Sequence, residues 1–149
     1  MSQMAKLEFS LVINRPVEQV FAFKVNFEND AQWSAASGQA QKTSEGPIGV
    51  GTTFRQVSSI LGRQIENELE ITEYEPNRKY TSRSKAGPFP FQARWIFEPV
   101  EGGTRVSVVI EAEPAGFFKL AEPILVSITK RQFQTDLENL KELMEAHAL

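Results

Sequence analysis

Residues 123–147, PILVSITKRQFQTDLENLKELMEAH, form the long helical stretch that decides the fold of this chain. At about 100° per residue, the second half of this stretch separates an apolar side from a polar side. The apolar side holds Val126, Phe133, Leu137, Leu140 and Met144, and the polar side holds Thr135, Glu138, Asn139 and Glu142. Because an amphipathic helix buries its apolar side, the sequence predicts a sheet that receives a C-terminal helix within residues 116–147.

The first half of the predicted helix differs from the second because it is apolar on more than one side. Ile124 and Ile128 project roughly opposite to Phe133, and Leu125 lies between the two sides. The sheet can cover only one of these sides. We expect Ile124 and Ile128 either to line the opening of a cavity or to form a self-association surface, which would give a weak homodimer.

Length and composition predict one globular domain over residues 1–149. The 41% hydrophobic and 23% charged content is ordinary for a globular protein. The absence of cysteine from the sequence excludes disulfides and thiolate chemistry, and it fits a reducing compartment.

The N-terminal residues and the net charge narrow the classes of partner. Residues 1–10 lack the apolar segment of a signal peptide, and no run approaches the roughly 18 apolar residues of a membrane span. We therefore expect a cytoplasmic protein without integral membrane association. A net charge of −3 gives no attraction to a phosphate backbone, so nucleic acid is not an expected partner.

Alternating apolar and polar residues predict a series of strands before the long helix. The strand-like segments are residues 6–14, 52–60, 64–73, 79–86, 91–100 and 104–113. Turn residues join most neighbouring segments, so consecutive strands are expected to pair antiparallel. The turns are expected at residues 61–63, 75–78, 87–88 and 101–103.

Two short helical elements are expected between the first two strand segments. Pro16 suits the first position of a helix, and Glu18 is favourable in its first turn. Residues 26–38 are expected to form another helical turn and a loop around Trp33. Together the patterns predict an α+β fold, in which one long helix lies across the concave face of a curved antiparallel sheet.

Several segments of this sequence match those of a known family in order and type. They are INRPVEQVF at 13–21, GVGT at 49–52, ITEYEPNR at 71–78, WIFEP at 95–99 and GGTRV at 102–106. In these segments the chain resembles the polyketide cyclase/dehydrase branch of the START-like (SRPBCC, helix-grip) superfamily. The resemblance implies a sheet of six or seven strands around the C-terminal helix, with an elongated cavity between them. Members bind lipids, sterols, polyketides and other largely apolar molecules; some are enzymes, and some bind proteins.

Strand alternation indicates which side chains face such a cavity. In residues 64–73, the apolar side chains share a face with Asn67, so a polar amide is expected on a mainly apolar wall. A few neutral polar groups among aromatic and aliphatic ones are typical of a pocket for a small apolar molecule. The predicted ligand-binding residues are Trp33, Phe54, Gln56, Asn67, Tyr80, Ser82, Phe91, Trp95, Ile124 and Ile128.

The sequence contains no recognisable catalytic or metal-binding constellation. Its only histidine, His147, lies near the C-terminus, so a serine triad is not expected. Glu66, Glu68 and Glu70 alternate with the apolar residues of their strand and are expected on the outer face. We predict no catalytic residue, no metal site and no cofactor.

Three functions from different classes are compatible with this sequence. The first is the binding or transport of a small, largely apolar molecule such as a lipid, a sterol or a polyketide-like compound. The second is a cyclase or dehydratase, whose acid or base would be Tyr80, Arg94 or Glu73. The third is a co-chaperone-like module that binds a protein partner.

Overall fold

The computed structural model describes residues 5–34, 38–60 and 62–146. The strands are β1 (Ala5–Ile13), β2 (Gln39–Lys42), β3 (Thr53–Ile60), β4 (Arg63–Glu75), β5 (Lys79–Ala86), β6 (Phe91–Val100) and β7 (Gly103–Ala112). The α-helices are α1 (Val17–Val25), α2 (Phe117–Leu120) and α3 (Glu122–Ala146), and a 3₁₀ helix spans Phe27–Gln32.

The strands form a seven-stranded sheet in the order β1-β7-β6-β5-β4-β3-β2. Every neighbouring pair is antiparallel. From β2 to β7, strands that follow one another in sequence are neighbours in the sheet, and β1 pairs with β7. The predicted α+β fold with a long C-terminal helix is therefore confirmed.

Strand β2 was not predicted from the sequence. Its residues, QAQK, lack the alternation of apolar and polar side chains that identifies a half-buried strand. The strand lies at the edge of the sheet, where it pairs only with β3. Its conformation is set by this pairing, because its own side chains carry no periodic signal.

The turn between β4 and β5 shows how the predicted hairpins close. Asn77 has a φ of 63°, and the Arg78 N–H donates to the Glu75 carbonyl at 3.0 Å. Asparagine tolerates this left-handed conformation better than most residues do. The turn predicted at 75–78 is confirmed, whereas Leu61 of the turn predicted at 61–63 lies outside the described residues, as does His147.

Pro16 lies one position earlier than predicted. It is the N-cap of α1, with φ −60° and ψ 147°, and its carbonyl accepts hydrogen bonds from the Gln19 and Val20 N–H groups. A fixed φ near −60° fits both this position and the first helical one, because the two positions accept the same φ and differ only in ψ. Glu18 lies in the first turn, as predicted.

Helix α3 covers the sheet with a stripe of inward side chains. Its second half buries Leu137, Leu140 and Met144, as predicted. Phe133 packs its ring with the centroid 4.9 Å from that of Phe9 on β1. In the first half, the buried residue is Leu125, whereas the periodicity placed its neighbour Val126 on the inward side. Val126 is only half-buried.

Polar contacts tie the C-terminal end of α3 to β1. The Lys141 ammonium donates to the Val12 carbonyl at 2.6 Å, and the Asn14 N–H donates to Glu145 Oε2 at 2.8 Å. The Arg15 guanidinium donates to the Glu145 carbonyl at 2.6 Å. These bonds satisfy a terminal helix carbonyl and hold this half of α3 at a defined position on the sheet.

Candidate ligand-binding cavity

A cavity of about 220 Å³ lies between the sheet and the first half of α3. Most of the residues that line it come from the strands and from α3. The lining residues are Leu7, Gln56, Ser58, Ile65, Asn67, Phe89, Phe91, Ile110, Ala112, Pro114, Leu125, Val126, Thr129 and Phe133. Its size and its mostly apolar wall match a site for a small, largely apolar molecule.

The polar groups of the cavity are concentrated on one wall. Gln56 and Ser58 lie on β3, and Asn67 lies on β4 directly opposite Gln56. The wall formed by β1, β7 and α3 is apolar apart from Thr129. Within the described part of the chain, no acidic or basic side chain lines the cavity.

The cavity occupies only one end of the concave face, which we call the open end. Small residues such as Ser58, Ala112 and Thr129 face it there. The other end, which we call the packed end, is filled by large buried side chains. These include Phe54, Ile71, Tyr80, Trp95, Phe97, Leu137, Leu140 and Met144.

Phe133 marks the boundary between the two ends. Its ring lies 4.9 Å from that of Phe9 and 5.9 Å from that of Trp95, measured between centroids. Because Phe133 also lines the cavity, it forms the floor between the open end and the packed end.

The turn between β5 and β6 lies beside the open end. The Phe89 ring is 5.2 Å from that of Phe118 in α2 and 6.4 Å from that of Phe91, measured between centroids. Both Phe89 and Phe91 line the cavity. Trp33, by contrast, is buried at the packed end, with its ring 6.4 Å from that of Trp95.

Asn67 is the polar group most deeply placed in the cavity wall. Its side chain is 3% exposed, and among the described residues its Oδ1 has no hydrogen-bond partner. The backbone of Gly87 approaches this oxygen closely: a Cβ at position 87 would lie 2.1 Å from Asn67 Oδ1. A glycine is therefore needed at this turn to leave room for the amide.

The packed end contains a buried lysine that the sequence analysis did not single out. Lys24 is 2% exposed, and its Nζ donates to Tyr80 Oη at 2.8 Å and lies 3.8 Å from Asp30 Oδ1. The same Nζ is 3.8 Å from the ring centroid of Trp95 and 5.1 Å from that of Trp33. Its position on the apolar side of a short helix was the available sequence signal.

Burial shifts the pKa values of this group of side chains. It lowers the pKa of Lys24, and the Asp30 charge only partly opposes this effect. Burial raises the pKa of Asp30 to about 6 against the opposing effects of Lys24 and Trp33. It also raises the pKa of Tyr80 well above its ordinary value. None of these three side chains lines the cavity, so they hold the packed end together rather than facing a ligand.

The structure distributes the predicted ligand-binding residues over three places. Those that line the cavity are Gln56, Asn67 and Phe91. Those buried at the packed end are Trp33, Phe54, Tyr80, Ser82 and Trp95. Those on the outer side of α3 are Ile124 and Ile128.

Ile124 and Ile128 do not lie at the cavity opening, which was one of the two positions expected for them. Their side chains are 59% and 46% exposed, and the cavity is lined instead by Leu125, Val126 and Thr129. Phe133 fixes the rotation of α3 by packing on the sheet, and residues eight and four positions before it then face inward. This rotation turns Ile124 and Ile128 to the outer side.

Two of the residues considered for chemistry, Glu73 and Arg94, lie on the outer face of the sheet. Glu73 accepts a hydrogen bond from Thr81 Oγ1 at 2.7 Å and lies 3.6 Å from the Arg94 guanidinium. The Thr81 bond first, and then Lys79 and Arg94, lower the pKa of Glu73. Glu73 and Arg94 are thus paired with each other, away from the cavity.

The glutamates at alternate positions of β4 also pair across the outer face. Arg55 donates to both carboxylate oxygens of Glu66, at 2.5 and 3.1 Å, and Arg83 donates to Glu70 at 3.0 Å. The expectation that this row faces outward is confirmed. Among the described residues, no group of acidic and histidine side chains is placed to hold a metal ion, and no helix is long and apolar enough to cross a membrane.

Several lining residues were missed because they lie outside regular strands or on an unexpected side of α3. Pro114 and Phe89 belong to segments between elements, where strand alternation gives no direction. Leu125 and Thr129 could be identified only with the helix rotation known. Leu7 and Ile110, by contrast, lie on the inward faces that alternation indicates.

Solved structures with the same fold come from several bacteria. A Thermus thermophilus protein matches with a TM-score of 0.83 and 19% identity, covering 97% of this chain and 100% of its own. The Zhui aromatase/cyclase of a Streptomyces species matches with a TM-score of 0.78 and 14% identity, covering 99% and 100%. A START superfamily protein of Mycobacterium smegmatis matches with a TM-score of 0.70 and 16% identity, covering 95% and 94%.

These likenesses establish the fold, and the sequence itself establishes the family. No curated protein sequence matches the chain. Residues 4–145 match the family described as polyketide cyclase / dehydrase and lipid transport, which covers nearly the whole sequence. The chain therefore belongs to the polyketide cyclase / dehydrase and lipid transport family.

Proposed function

We propose that this protein binds or carries a small, largely apolar molecule in the cavity at the open end. The observation that supports this most is a preformed space of about 220 Å³ with a mostly apolar wall, beside a core of large buried side chains. An apolar cavity of about 150 Å³ is known to accept benzene. The present cavity is therefore suited to a molecule of about two fused rings or a short branched chain.

The wall chemistry supports binding more than catalysis. Within the described residues, the side chains that line the cavity are apolar or neutral and polar. Apolar contact would provide affinity at roughly 25 cal/mol per Å² of buried apolar surface, and the neutral polar groups would orient the ligand. General acid or base catalysis would require an ionisable group within hydrogen-bond reach of the substrate.

The proposal is tested by measuring uptake of 1-naphthylamine, a two-ring probe that is neutral at pH 7 and whose emission wavelength depends on the polarity of its surroundings. The wild-type protein should shift its emission to shorter wavelength in a saturable way, and native mass spectrometry should show one probe per chain. Val126→Trp fills the cavity and should abolish uptake. The matched control is Val50→Trp, since Val50 is exposed and lies outside the cavity lining. Equal uptake by both variants, or none by the wild type, would rule out the cavity as the site.

A cyclase or dehydratase is the second candidate, and the family membership favours it. In this cavity, catalysis would rest on holding a reactive chain in a productive conformation. Incubation with a poly-β-ketone thioester tests this: the protein should change the ratio of cyclised products relative to buffer, and Val126→Trp should restore the buffer ratio. An unchanged product ratio with the wild-type protein would argue against this function.

Protein binding is the third candidate, and an exposed apolar stripe on the helices supports it. Leu120, Ile124 and Ile128 follow one another at four-residue spacing and are 88%, 59% and 46% exposed. Exposed apolar stripes of this kind are typical of contact surfaces. This candidate includes the weak homodimer expected from the sequence, and a change in sedimentation of the Ile124→Glu variant would support it.

A further inference from the structure

Asn67 presents an unusual combination of burial and unsatisfied hydrogen bonding. It is 3% exposed, it lines the cavity, and its Oδ1 has no partner among the described residues. Leaving a buried polar group without a partner is costly, so such groups in folded proteins nearly always have one. A group on a bound ligand is positioned to be that partner, because Asn67 lines the cavity.

The neighbouring strand supplies a second polar group at the position paired with Asn67. Gln56 lies directly opposite Asn67 in the β3–β4 pair, is largely buried, and lines the same cavity. A side-chain amide offers both a donor and an acceptor. The ligand group that complements such amides is one that also donates and accepts, as a hydroxyl does.

The uncharged side chains of the cavity wall also restrict the charge that a ligand can carry. In the described part of the chain, no lining side chain carries a charge. Arg55, which is adjacent to Gln56 in β3, pairs with Glu66 on the outer face, and Arg83 of β5 pairs with Glu70 there. A carboxylate or phosphate in the cavity would lose its hydration without gaining a counter-charge, which is strongly unfavourable.

The two walls also define a direction for the ligand. In the sheet, β3 and β4 lie on one side of β5 and β6, whereas β7 and β1 lie on the other. The polar groups are on the β3–β4 side, and the apolar side chains Leu7, Ile110 and Ala112 are on the β1–β7 side. A ligand with a polar group at one end of an apolar body fits this arrangement.

We infer that the ligand is a neutral, apolar molecule bearing a hydroxyl group, and that Asn67 and Gln56 bind this hydroxyl while the apolar body contacts β1, β7 and α3. The inference rests on the proposed binding function and specifies its ligand class. It assigns Asn67 as the residue that determines specificity. It assigns Gly87 a positioning role, because a Cβ there would displace the Asn67 amide.

The test compares naphthalene, naphthol and naphthoate by isothermal titration calorimetry at neutral pH. These probes share one ring system and differ in having no polar group, a hydroxyl or an anionic carboxylate. The wild-type protein should bind naphthol about tenfold more tightly than naphthalene, as one hydrogen bond to a previously unsatisfied group predicts, and should not bind naphthoate measurably. In Asn67→Leu the affinity for naphthol should fall to that for naphthalene.

Two further variants separate specificity from a general loss of structure. Gly87→Ala should reduce the preference for naphthol while leaving naphthalene binding within about twofold, because it displaces the amide without filling the cavity. Glu66→Gln changes the outer face of the same strand and should leave all three affinities unchanged.

The outcomes distinguish the inference from the function on which it rests. If naphthalene and naphthol bind the wild type equally, or if Asn67→Leu weakens both by the same factor, the hydroxyl assignment is wrong and Asn67 is served by water alone. Tight binding of naphthoate would equally overturn the neutral-ligand assignment. If no probe binds the wild type, the proposed binding function itself fails.

Discussion

Strand β6 turns Trp95 and Phe97 toward the packed end of the concave face and Phe91 toward the open end, so one strand serves two different interiors. At the packed end, Tyr80 stacks between these aromatic residues, with ring centroids 6.4 Å from Trp95 and 6.0 Å from Phe97. At the open end, Phe91 borders empty space. The comparison shows that one sheet and one helix can combine a tightly filled core with a preformed cavity.

Lys24 at the packed end and Asn67 at the open end differ in the partners that surround them. The buried Lys24 has Tyr80, Asp30 and an aromatic ring within contact distance. The Asn67 oxygen has no partner among the described residues. Lys24 is therefore paired within the fold, whereas Asn67 lines the cavity and is available to a ligand. Each of the following predictions tests this division.

The largest effect is expected when the buried pair at the packed end is broken. Lys24→Met leaves Asp30 buried without a counter-charge, which should reduce the unfolding free energy at pH 7 by about 3–5 kcal/mol. In the wild type, the native pKa of Asp30 is already raised to about 6 by burial. Loss of Lys24 should raise it further. Urea denaturation at several pH values measures both effects.

The pH dependence of this variant has a definite sign. An Asp whose native pKa lies above its unfolded value binds more protons in the folded state, so the unfolding free energy falls as pH rises through that interval. In the wild type, the unfolding free energy should stop falling from this cause once the pH has passed about 6, the native pKa of Asp30. In Lys24→Met the fall should continue to higher pH. The double variant Lys24→Met/Asp30→Leu should lack this extra slope. Parallel curves for the wild type and Lys24→Met would contradict the assignment.

Truncation of apolar side chains should distinguish the two ends next. Leu140→Ala removes a fully buried side chain of the packed end and should cost about 2–5 kcal/mol of unfolding free energy. Val126→Ala removes a half-buried side chain that already borders the cavity, and it should cost about 1 kcal/mol or less. Thermal or urea denaturation of both variants gives the comparison. Equal losses would show that the open end is packed as tightly as the other.

Asn67 should show the opposite signs for stability and binding. Asn67→Leu removes an unsatisfied buried amide, so we expect it to raise the unfolding free energy by about 1 kcal/mol. The same change should remove the preference for a hydroxyl-bearing ligand. Asn67→Asp, which places a carboxylate in the same surroundings, should destabilise the protein. A loss of stability in Asn67→Leu would indicate that the amide already has a partner in the empty protein.

The smallest effect is expected on the outer side of α3. Ile124→Glu changes an exposed side chain outside the cavity lining, so the unfolding free energy should change by no more than about 0.5 kcal/mol. Binding of apolar probes should also remain unchanged. Sedimentation velocity of the wild type and the variant reports separately on self-association. Reduced probe binding in Ile124→Glu would place Ile124 at the cavity after all.

Most of the fold could be predicted from the sequence because it is encoded in local periodicity. The alternation in β4 was sufficient to place Asn67 inward and Glu66 outward, since successive side chains of a strand face opposite sides. The edge strand β2 could not be predicted in this way, because its four polar residues are held by pairing with β3.

The division of the interior depends on contacts between residues that are distant in sequence. Phe133 separates the two ends only because α3 brings it against Phe9 and Trp95. Strand alternation shows that Tyr80 and Phe91 both face inward, but it does not show which of them borders a cavity. The burial of Lys24 likewise depends on Trp95 and Tyr80 from strands far along the chain.

The most direct test of the division is nuclear magnetic resonance of side-chain methyl groups during titration with naphthol. A ligand at the open end should shift the methyl resonances of Ile65, Ile110, Leu125 and Val126, which line the cavity. The methyl resonances of Val106, Leu140 and Met144, which are buried at the packed end, should remain within experimental error. Saturable shifts confined to the packed end, or shifts on the exposed Ile124 and Ile128 alone, would contradict the account.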